Sequence, residues 1–392
     1  MRGRIERRTK PFDPDAYGPK RARQAANYTV FIPDLIQDFE SSQSLQLSGF
    51  ISRVESEIKE LDSNPQLSPL VHYLLRSESI ASSWIEGLRL KPHELLSAEA
   101  KQLNGQRVGE TAKEVISNIE AMEKAIELAS QREKFTLKDL NLIHETLLRN
   151  SSIPQHAGKI RTVQNWIGKT DSILSADYIP APPEEVPALL NDLIEAINET
   201  RLSPLTQAAI VHAQFETIHP YVDGNGRTGR ALIHVILRRR GLTKTFITPI
   251  SILFAQSRDY YIGGLENFRE DKIDDWLTFF ANAAHQSTTI AKRYLESAQA
   301  IHDIWLDKIT REIKPRRDAA IWKVIKVLLS QPITDIRRMC LATGLTKNVI
   351  SNAITQLEML GILSLNQAIT RNRVWEAKEI LELLGTLDTS GR

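Results

Sequence analysis

The run from His219 to Arg230 (His-Pro-Tyr-Val-Asp-Gly-Asn-Gly-Arg-Thr-Gly-Arg) brings together an imidazole, a carboxylate, three glycines, an amide and two guanidinium groups. Gly224, Asn225 and Gly226 can take backbone angles closed to bulkier residues, so consecutive N–H groups can turn toward one anion. Apolar residues at Leu232, Ile236 and Leu237, with Gly241 as a stop, predict a helix over Thr228 to Arg240. The glycine-rich loop, with Thr228 and Gly229 at its end, therefore empties into a helix N-terminus, which favours anions. Arg227 and Arg230 are three apart and share a helix face, from which both can reach phosphate oxygens. Asp223 is a hard oxygen ligand suited to a magnesium ion that bridges phosphates. His219 is the group in this run able to take a proton near neutral pH. Together these residues describe a phosphate site with a base beside it.

Two alternatives compete for the same residues. His-Pro is an ordinary turn dipeptide, and an isolated histidine is more often structural than catalytic. Gly224, Gly226 and Gly229 also satisfy the Gly-x-Gly-x-x-Gly fingerprint of dinucleotide sites, which needs a preceding strand and an acidic residue about twenty positions on. Here Val211, Phe215 and Ile218 precede the loop at helical spacing, and no carboxylate stands near Lys244 and Thr245. Both facts argue against a dinucleotide.

The elements that must hold these groups are mainly helical. The chain has 392 residues, long for one core, and 42% of them are hydrophobic, enough to bury a sizeable interior. Its net charge of +2 favours no class of charged partner, and its single cysteine, Cys340, excludes intramolecular disulfides and cysteine-rich zinc sites. No apolar run is long enough to span a membrane, and the basic start at Arg2, Arg4, Arg7 and Arg8 lacks the apolar stretch of a signal peptide, so the expected location is the cytoplasm. Residues 1–29 have no helical periodicity and are expected to form a loosely held basic arm. Thr136 is expected to cap a helix running through Leu140, Ile143 and Leu147, with His144 a packing or surface residue.

The stretch at 219–230 resembles the Fic family motif His-Pro-Phe-x-Asp/Glu-Gly-Asn-Gly-Arg-x-x-Arg at every specified position except Tyr221, where an aromatic ring is kept. The resemblance implies a mainly α fold, a helical bundle with a β-hairpin flap. It further implies a magnesium-dependent protein adenylyltransferase that moves AMP from ATP to a hydroxyl of a target protein or of itself. In that scheme His219 deprotonates the target, and Asp223 holds Mg2+. The amides of Gly224, Asn225 and Gly226, with the Asn225 side chain, stabilise the transferring phosphoryl group, while Arg227 and Arg230 orient the β and γ groups. Removal of AMP and transfer of phosphate or phosphocholine are alternatives on the same fold. A regulator that only senses ATP is another.

Further stretches extend the resemblance over roughly residues 30–300. Ser82, Glu86 and Gly87 look like the inhibitory motif Ser/Thr-x-x-x-Glu-Gly/Asn, in the class whose inhibitory helix precedes the active motif. The resemblance implies that Glu86 pairs with Arg230 and so withholds a γ-phosphate partner. Val163, Gln164, Asn165, Trp166 and Ile167, rich in β-branched and aromatic residues and followed by Gly168, are candidates for the flap that aligns a target backbone. Tyr261, Leu265 and Arg269 look like the family pattern Tyr-Tyr-x-x-Leu-x-x-x-Arg with Ile262 in the second tyrosine's place, which implies that Tyr261 borders the nucleoside; core packing is the alternative.

Beyond the hinge at Lys314-Pro315-Arg316-Arg317, helices are expected at Ile321 to Leu329, Thr334 to Leu341 and Lys347 to Leu360, with a wing from Gly361-Ile362-Leu363 and Val374-Trp375-Glu376. This resembles a winged helix-turn-helix. If it binds DNA, Lys347 and Asn348 open the recognition helix, and Arg371 and Arg373 hold phosphates from the wing. Winged helices also serve protein contacts, and Glu358 thins the basic footprint. The expected domains are therefore an arm at 1–29, an N-terminal helical region with the inhibitory helix at 30–110, a Fic core at 111–300 and a winged helix at 316–390. A homo-oligomer is compatible with this sequence.

Overall fold

A computed structural model describes residues 3–10, 25–39, 43–103, 105–168, 173–366 and 373–388. The chain opens with strands β1 (Gly3–Lys10) and β2 (Ala26–Pro33), then helices α1 (Leu45–Asp62), α2 (Val71–Ile85), α3 (Pro92–Leu103) and α4 (Glu110–Gln131). Next come α5 (Leu137–Leu148), α6 (Val186–Asn198), α7 (Pro204–Ile218), α8 (Asn225–Arg239), α9 (Ile250–Gln256) and α10 (Arg258–Arg269). The remainder is α11 (Ile273–Glu312), α12 (Ala320–Leu328), β3 (Ile333–Thr334), α13 (Ile336–Thr343), α14 (Lys347–Met359), β4 (Ser364–Leu365), β5 (Trp375–Glu376) and α15 (Lys378–Asp388). The fold is mainly α, as expected.

The chain divides differently from the linear domains read in the sequence. One compact unit is Met1–Glu55, Glu120–Leu242 and Ser257–Asn282; the other is Ser56–Ile119, Thr243–Gln256 and Ala283–Arg392. The physical reason is that amphipathic helices from distant segments bury their apolar faces against one another, which a division drawn along the chain cannot show.

The first unit is built around α7. Every residue from Leu205 to Ile218 is buried, so this helix is covered on all sides, by α6, α8, α10 and β2. Its polar side chains find partners inside: Gln207 Nε2 donates to Ala196 O at 2.6 Å, Gln214 Nε2 to Asp34 O at 2.8 Å and Thr217 Oγ1 to Ala213 O at 2.8 Å. Burying a side chain such as Phe215 or Leu205 contributes about 1.5–3 kcal/mol each. Beside it, α5 starts at the expected cap: Thr136 Oγ1 accepts from Asp139 N and Asp139 Oδ2 from Thr136 N, a reciprocal capping box.

The N-terminal arm is a correction. Residues 3–10 pair antiparallel with β2, Ile5 opposite Phe31 and Arg7 opposite Thr29, with Val30 and Ile32 of β2 each 1% exposed. Its basic residues are held by carboxylates, Arg4 by Glu185 at 2.9 Å and Arg8 by Glu6 and Glu184 at 2.8 and 2.9 Å. The carboxylates Glu184 and Glu185 lie far along the chain, so local charge alone suggested a solvated terminus.

In the second unit, α2 is anchored by Glu78, which is fully buried and accepts from Ser251 N at 2.8 Å at the start of α9. Helices α12, α13 and α14 close over Val324, Ile325, Met339, Ile350, Ile354 and Leu357. A three-stranded sheet of order β3-β5-β4 flanks them, and β3 is a strand that the sequence did not suggest. In the same unit α15 packs on α2 and α3.

Candidate active site

The site is made where α7 ends and α8 begins. His219 caps α7 in the left-handed region (φ 50°, ψ 61°), its N–H donating to Phe215 O at 2.9 Å. Glycine usually takes that place, and a non-glycine residue there carries strain that the surroundings must hold. Here the surroundings are a short loop closed by Asn225, whose Oδ1 accepts from Tyr221 N and whose Nδ2 donates to Tyr221 O, both at 2.9 Å. This revises the expected role of the Asn225 side chain: its amide is committed to the loop, and its remaining reach is 3.2 Å to His219 Nδ1. Gly224, at φ +75°, turns the chain into α8, and a Cβ there would stand 3.1 Å from Leu147 and 3.4 Å from His144.

His144, expected to be a packing or surface residue, is buried under this loop and carries it. Its ring stacks on Tyr221 at 3.6 Å with planes 5° apart. Nδ1 accepts from Gly158 N at 2.9 Å, so Nε2 carries the proton and donates to Asp223 O at 2.9 Å. Burial lowers its pKa to about 4. Tyr221, the one departure from the family motif, donates its hydroxyl to Asn141 Oδ1 at 2.7 Å, a bond that phenylalanine could not make.

Arg161 was missed because its side-chain partners are all backbone carbonyls and all but Val163 O are distant in sequence. Its Nε donates to His219 O at 2.9 Å and its Nη1 to Val163 O at 3.2 Å, while Nη2 meets Ala181 O and Ile218 O. Its own N–H donates to Pro220 O at 2.9 Å. The guanidinium thus sits at the negative end of α7, where a cation is favoured. Burial lowers its pKa to about 10, so it stays charged at neutral pH. Removing it strands several carbonyls. Arg161→Met is expected to lower unfolding free energy by about 3 kcal/mol, read as a lower urea midpoint at unchanged slope.

At the start of α8 the first intrahelical bond is Thr228 N to Gly224 O at 3.0 Å, so the N–H groups of residues 225–227 precede the ladder. Gly229 permits the close crossing of α7 and α8, since a Cβ there would lie 2.3 Å from Glu216 Oε1 and 2.9 Å from Phe215. Arg227 and Arg230 are 3% and 1% exposed, and Thr228 1%. Asp223 is exposed, with Oδ2 3.9 Å from Arg227 Nη2 and Oδ1 accepting from Gly224 N at 2.6 Å. Among the described residues no group of three or more His, Cys, Asp or Glu could hold a metal. A lone exposed carboxylate fits a magnesium ion that arrives on phosphates, since such ions keep waters and substrate oxygens as ligands.

The flap candidates are beside this site, and among the described residues the expected hairpin is a minimal one. One bridge joins Ile167 to Tyr178, and residues 163–166 are irregular. Polar side chains there turn inward, Gln164 Nε2 to Pro180 O at 3.0 Å and Asn165 Nδ2 to Tyr221 O at 2.9 Å, and the prolines at 180, 182 and 183 offer no N–H to a ladder. Val163 and Ile167 are exposed, at 60% and 37%.

Tyr261 is also corrected. It is 3% exposed, its hydroxyl is 2.9 Å from His212 Nε2, and its ring packs near Trp276, so the ring serves the core and offers no face to a nucleoside. Burial lowers the His212 pKa to about 3, with nearby Arg230 acting in the same direction and a bond to the Gly229 backbone opposing. Because the folded value lies below the ordinary 6.5, the stabilising effect is whole above pH 6.5. It shrinks by about 1.4 kcal/mol per unit as pH falls from there toward 3. Urea midpoints at pH 7 and 5 are expected to differ less in His212→Gln than in the unaltered chain.

In the other unit, Ser82 and Ser83 are buried in α2, where Asn118 Nδ2 donates to Ser79 O at 2.9 Å and Ser83 Oγ at 3.1 Å. Glu86 is the exposed C-cap, and Gly87 follows at φ +87°, the helix end expected of that pair. Lys347 and Asn348 open α14 and are exposed, as is Arg373; Arg371 lies outside the described residues.

Residues 134–237 match the Fic/DOC family and residues 51–127 the Fic/DOC family N-terminal region. A protein adenylyltransferase of Caenorhabditis elegans is 27% identical over 200 residues, covering 50% of this chain and 36% of that one. A probable protein adenylyltransferase of Aquifex aeolicus is 32% identical over 211 residues, covering 53% of this chain and 59% of that one. The chain thus spans less than two thirds of either relative. Among solved structures, a Fic family protein from Desulfovibrio desulfuricans shares the fold with a TM-score of 0.52 at 21% identity, over 86% of this chain and 98% of that one. A Fic domain containing signaling protein from Bacteroides thetaiotaomicron has a TM-score of 0.51 at 20% identity, over 63% of this chain and 97% of that one. The residues at 219–230 and the two matched regions agree: this chain carries a Fic/DOC family domain together with that family's N-terminal region.

Proposed function

We propose that the protein transfers AMP from ATP to a hydroxyl side chain of a target protein or of itself. The observation that carries this is the single short loop that sets an imidazole, at the end of α7, beside the open N-terminus of α8. In the proposed step the hydroxyl oxygen attacks the α-phosphorus, the bond to the α–β bridging oxygen breaks, and pyrophosphate leaves. His219 takes the hydroxyl proton. The early N–H groups of α8, with Arg227 and Arg230, hold the phosphates. Asp223 is the residue that would meet a magnesium ion carried on them, whose charge offsets that of the polyphosphate.

Incubating the protein with a cell lysate and ATP labelled at the α or the γ position tests this. Label retained on protein from the α position alone supports AMP transfer. Label from γ points to phosphate transfer, and release of AMP from a premodified target points to the reverse reaction. Retention of neither, with ATP still bound, favours a sensor.

For residues 316–390 the proposal is a winged helix-turn-helix that contacts duplex DNA. It is supported by a groove of about 650 Å³ whose lining includes Arg337, Lys347, Ser351 and Arg373. Asp335 and Glu358 also line it, so the expected affinity is modest and falls steeply with salt. Absence of binding to duplex DNA even at about 50 mM salt rejects the proposal.

A further inference from the structure

Two side-chain amides meet on His219, and their orientations decide where its ring proton sits. Asn225 is fixed by its paired bonds to Tyr221 N and O, both 2.9 Å. Reversing it would set oxygen against a carbonyl and NH2 against an N–H. Asn165 is fixed by Tyr221 O at 2.9 Å and His219 O at 3.4 Å from its Nδ2, so reversal would face two carbonyls with a third oxygen. Both amides therefore present N–H groups to His219 Nδ1, at 2.9 Å from Asn165 and 3.2 Å from Asn225. A ring nitrogen that accepts N–H donors carries no proton. The neutral imidazole then bears its proton on Nε2.

A histidine that removes a proton through Nε2 needs the opposite tautomer, with Nδ1–H held by an acceptor. We infer that Asn165 is a positioning residue that withholds the base: it pins His219 in the Nε2–H form, and transfer requires its amide to turn its oxygen toward Nδ1. The inference rests on the assignment of His219 as the base of the proposed reaction. Asn165 Oδ1 is buried and without a hydrogen-bond partner among the described residues. The turn gives that oxygen a bond from Nδ1–H but sets it against the carbonyls of Tyr221 and His219, so the resting arrangement is favoured until a target drives the turn. Asn165 also lies between Val163 and Ile167, whose side chains are 60% and 37% exposed. A target packing on this segment would act directly on the strip of chain that carries the amide.

The test reads the ring itself. In protein labelled with 15N-histidine, with His219 assigned by its loss in His219→Asn, the neutral ring is expected to show a protonated Nε2 and an unprotonated Nδ1. Asn165→Asp, whose carboxylate can only accept, is expected to reverse that pattern and to raise kcat about tenfold with an unchanged KM for ATP. Asn165→Ala, which leaves the Asn225 amide on Nδ1, should keep the proton on Nε2 and leave kcat low. If Asn165→Asp keeps the pattern of the unaltered protein, or if that protein already carries its proton on Nδ1, the inference fails. Should the tautomers shift as expected while no AMP is transferred by any form, the inference about Asn165 stands and the proposed activity fails.

Discussion

His219→Ala is expected to cut AMP transfer by at least about a hundredfold and to leave ATP binding largely intact. General-base catalysis is worth about 10²–10⁴ in rate, whereas the groups proposed to hold the phosphates belong to α8 and do not depend on the imidazole. The measurements are label incorporation from α-labelled ATP and calorimetric titration with ATP. The substitution also has a structural cost. Residue 219 sits at φ 50°, where alanine is strained by about 1 kcal/mol, and the ring's contacts with Asn165 and Asn225 vanish. His219→Asn serves as the companion because asparagine tolerates the left-handed region better. It should lose transfer to the same extent with a smaller drop in Tm. Full transfer by either variant would remove His219 from the mechanism.

Glu86→Gly is expected to raise AMP transfer by roughly 10- to 100-fold. From the resemblance of Ser82-Ser83-Trp84-Ile85-Glu86-Gly87 to an inhibitory motif we propose that the Glu86 carboxylate restrains transfer by denying the γ-phosphate a cationic partner. Giving up one charge-assisted hydrogen bond of about 1.5–3 kcal/mol shifts an equilibrium by that factor. Locally the change is mild. The end of α2 is closed by Gly87 N to Trp84 O at 2.9 Å and Leu88 N to Ser83 O at 3.0 Å, bonds in which the Glu86 side chain takes no part. Activity should therefore rise with little change in Tm. Equal initial rates for the two forms, at saturating target, would mean that Glu86 does not restrain the enzyme.

The helices were legible wherever their signal was local. The Thr136 cap, the stop at Gly241 and the helix end at Glu86-Gly87 each depend on residues within a few positions, and each is where the sequence suggested. The strand Gly3–Lys10 was not legible, because its ion-pair partners Glu184 and Glu185 lie far along the chain. Arg161 was opaque for a sharper reason. Every group it holds is a backbone carbonyl, and a carbonyl leaves no mark in the residue type that bears it.

At the site itself the chemistry was in the sequence: an imidazole, a carboxylate, three glycines and two arginines at fixed spacing specify a base beside an anion pocket. Spacing alone could not say which polar groups remain available, since that depends on what each side chain touches once folded. Tertiary structure spends the Asn225 amide on its own loop, sends Tyr261 into the core against His212, and sets His144 beneath Tyr221 to hold Asp223. It also brings Asn165, far from the motif in sequence, onto the ring nitrogen of His219. Residue types suggested the reaction proposed for this protein, and packing decided which polar atoms the fold itself engages.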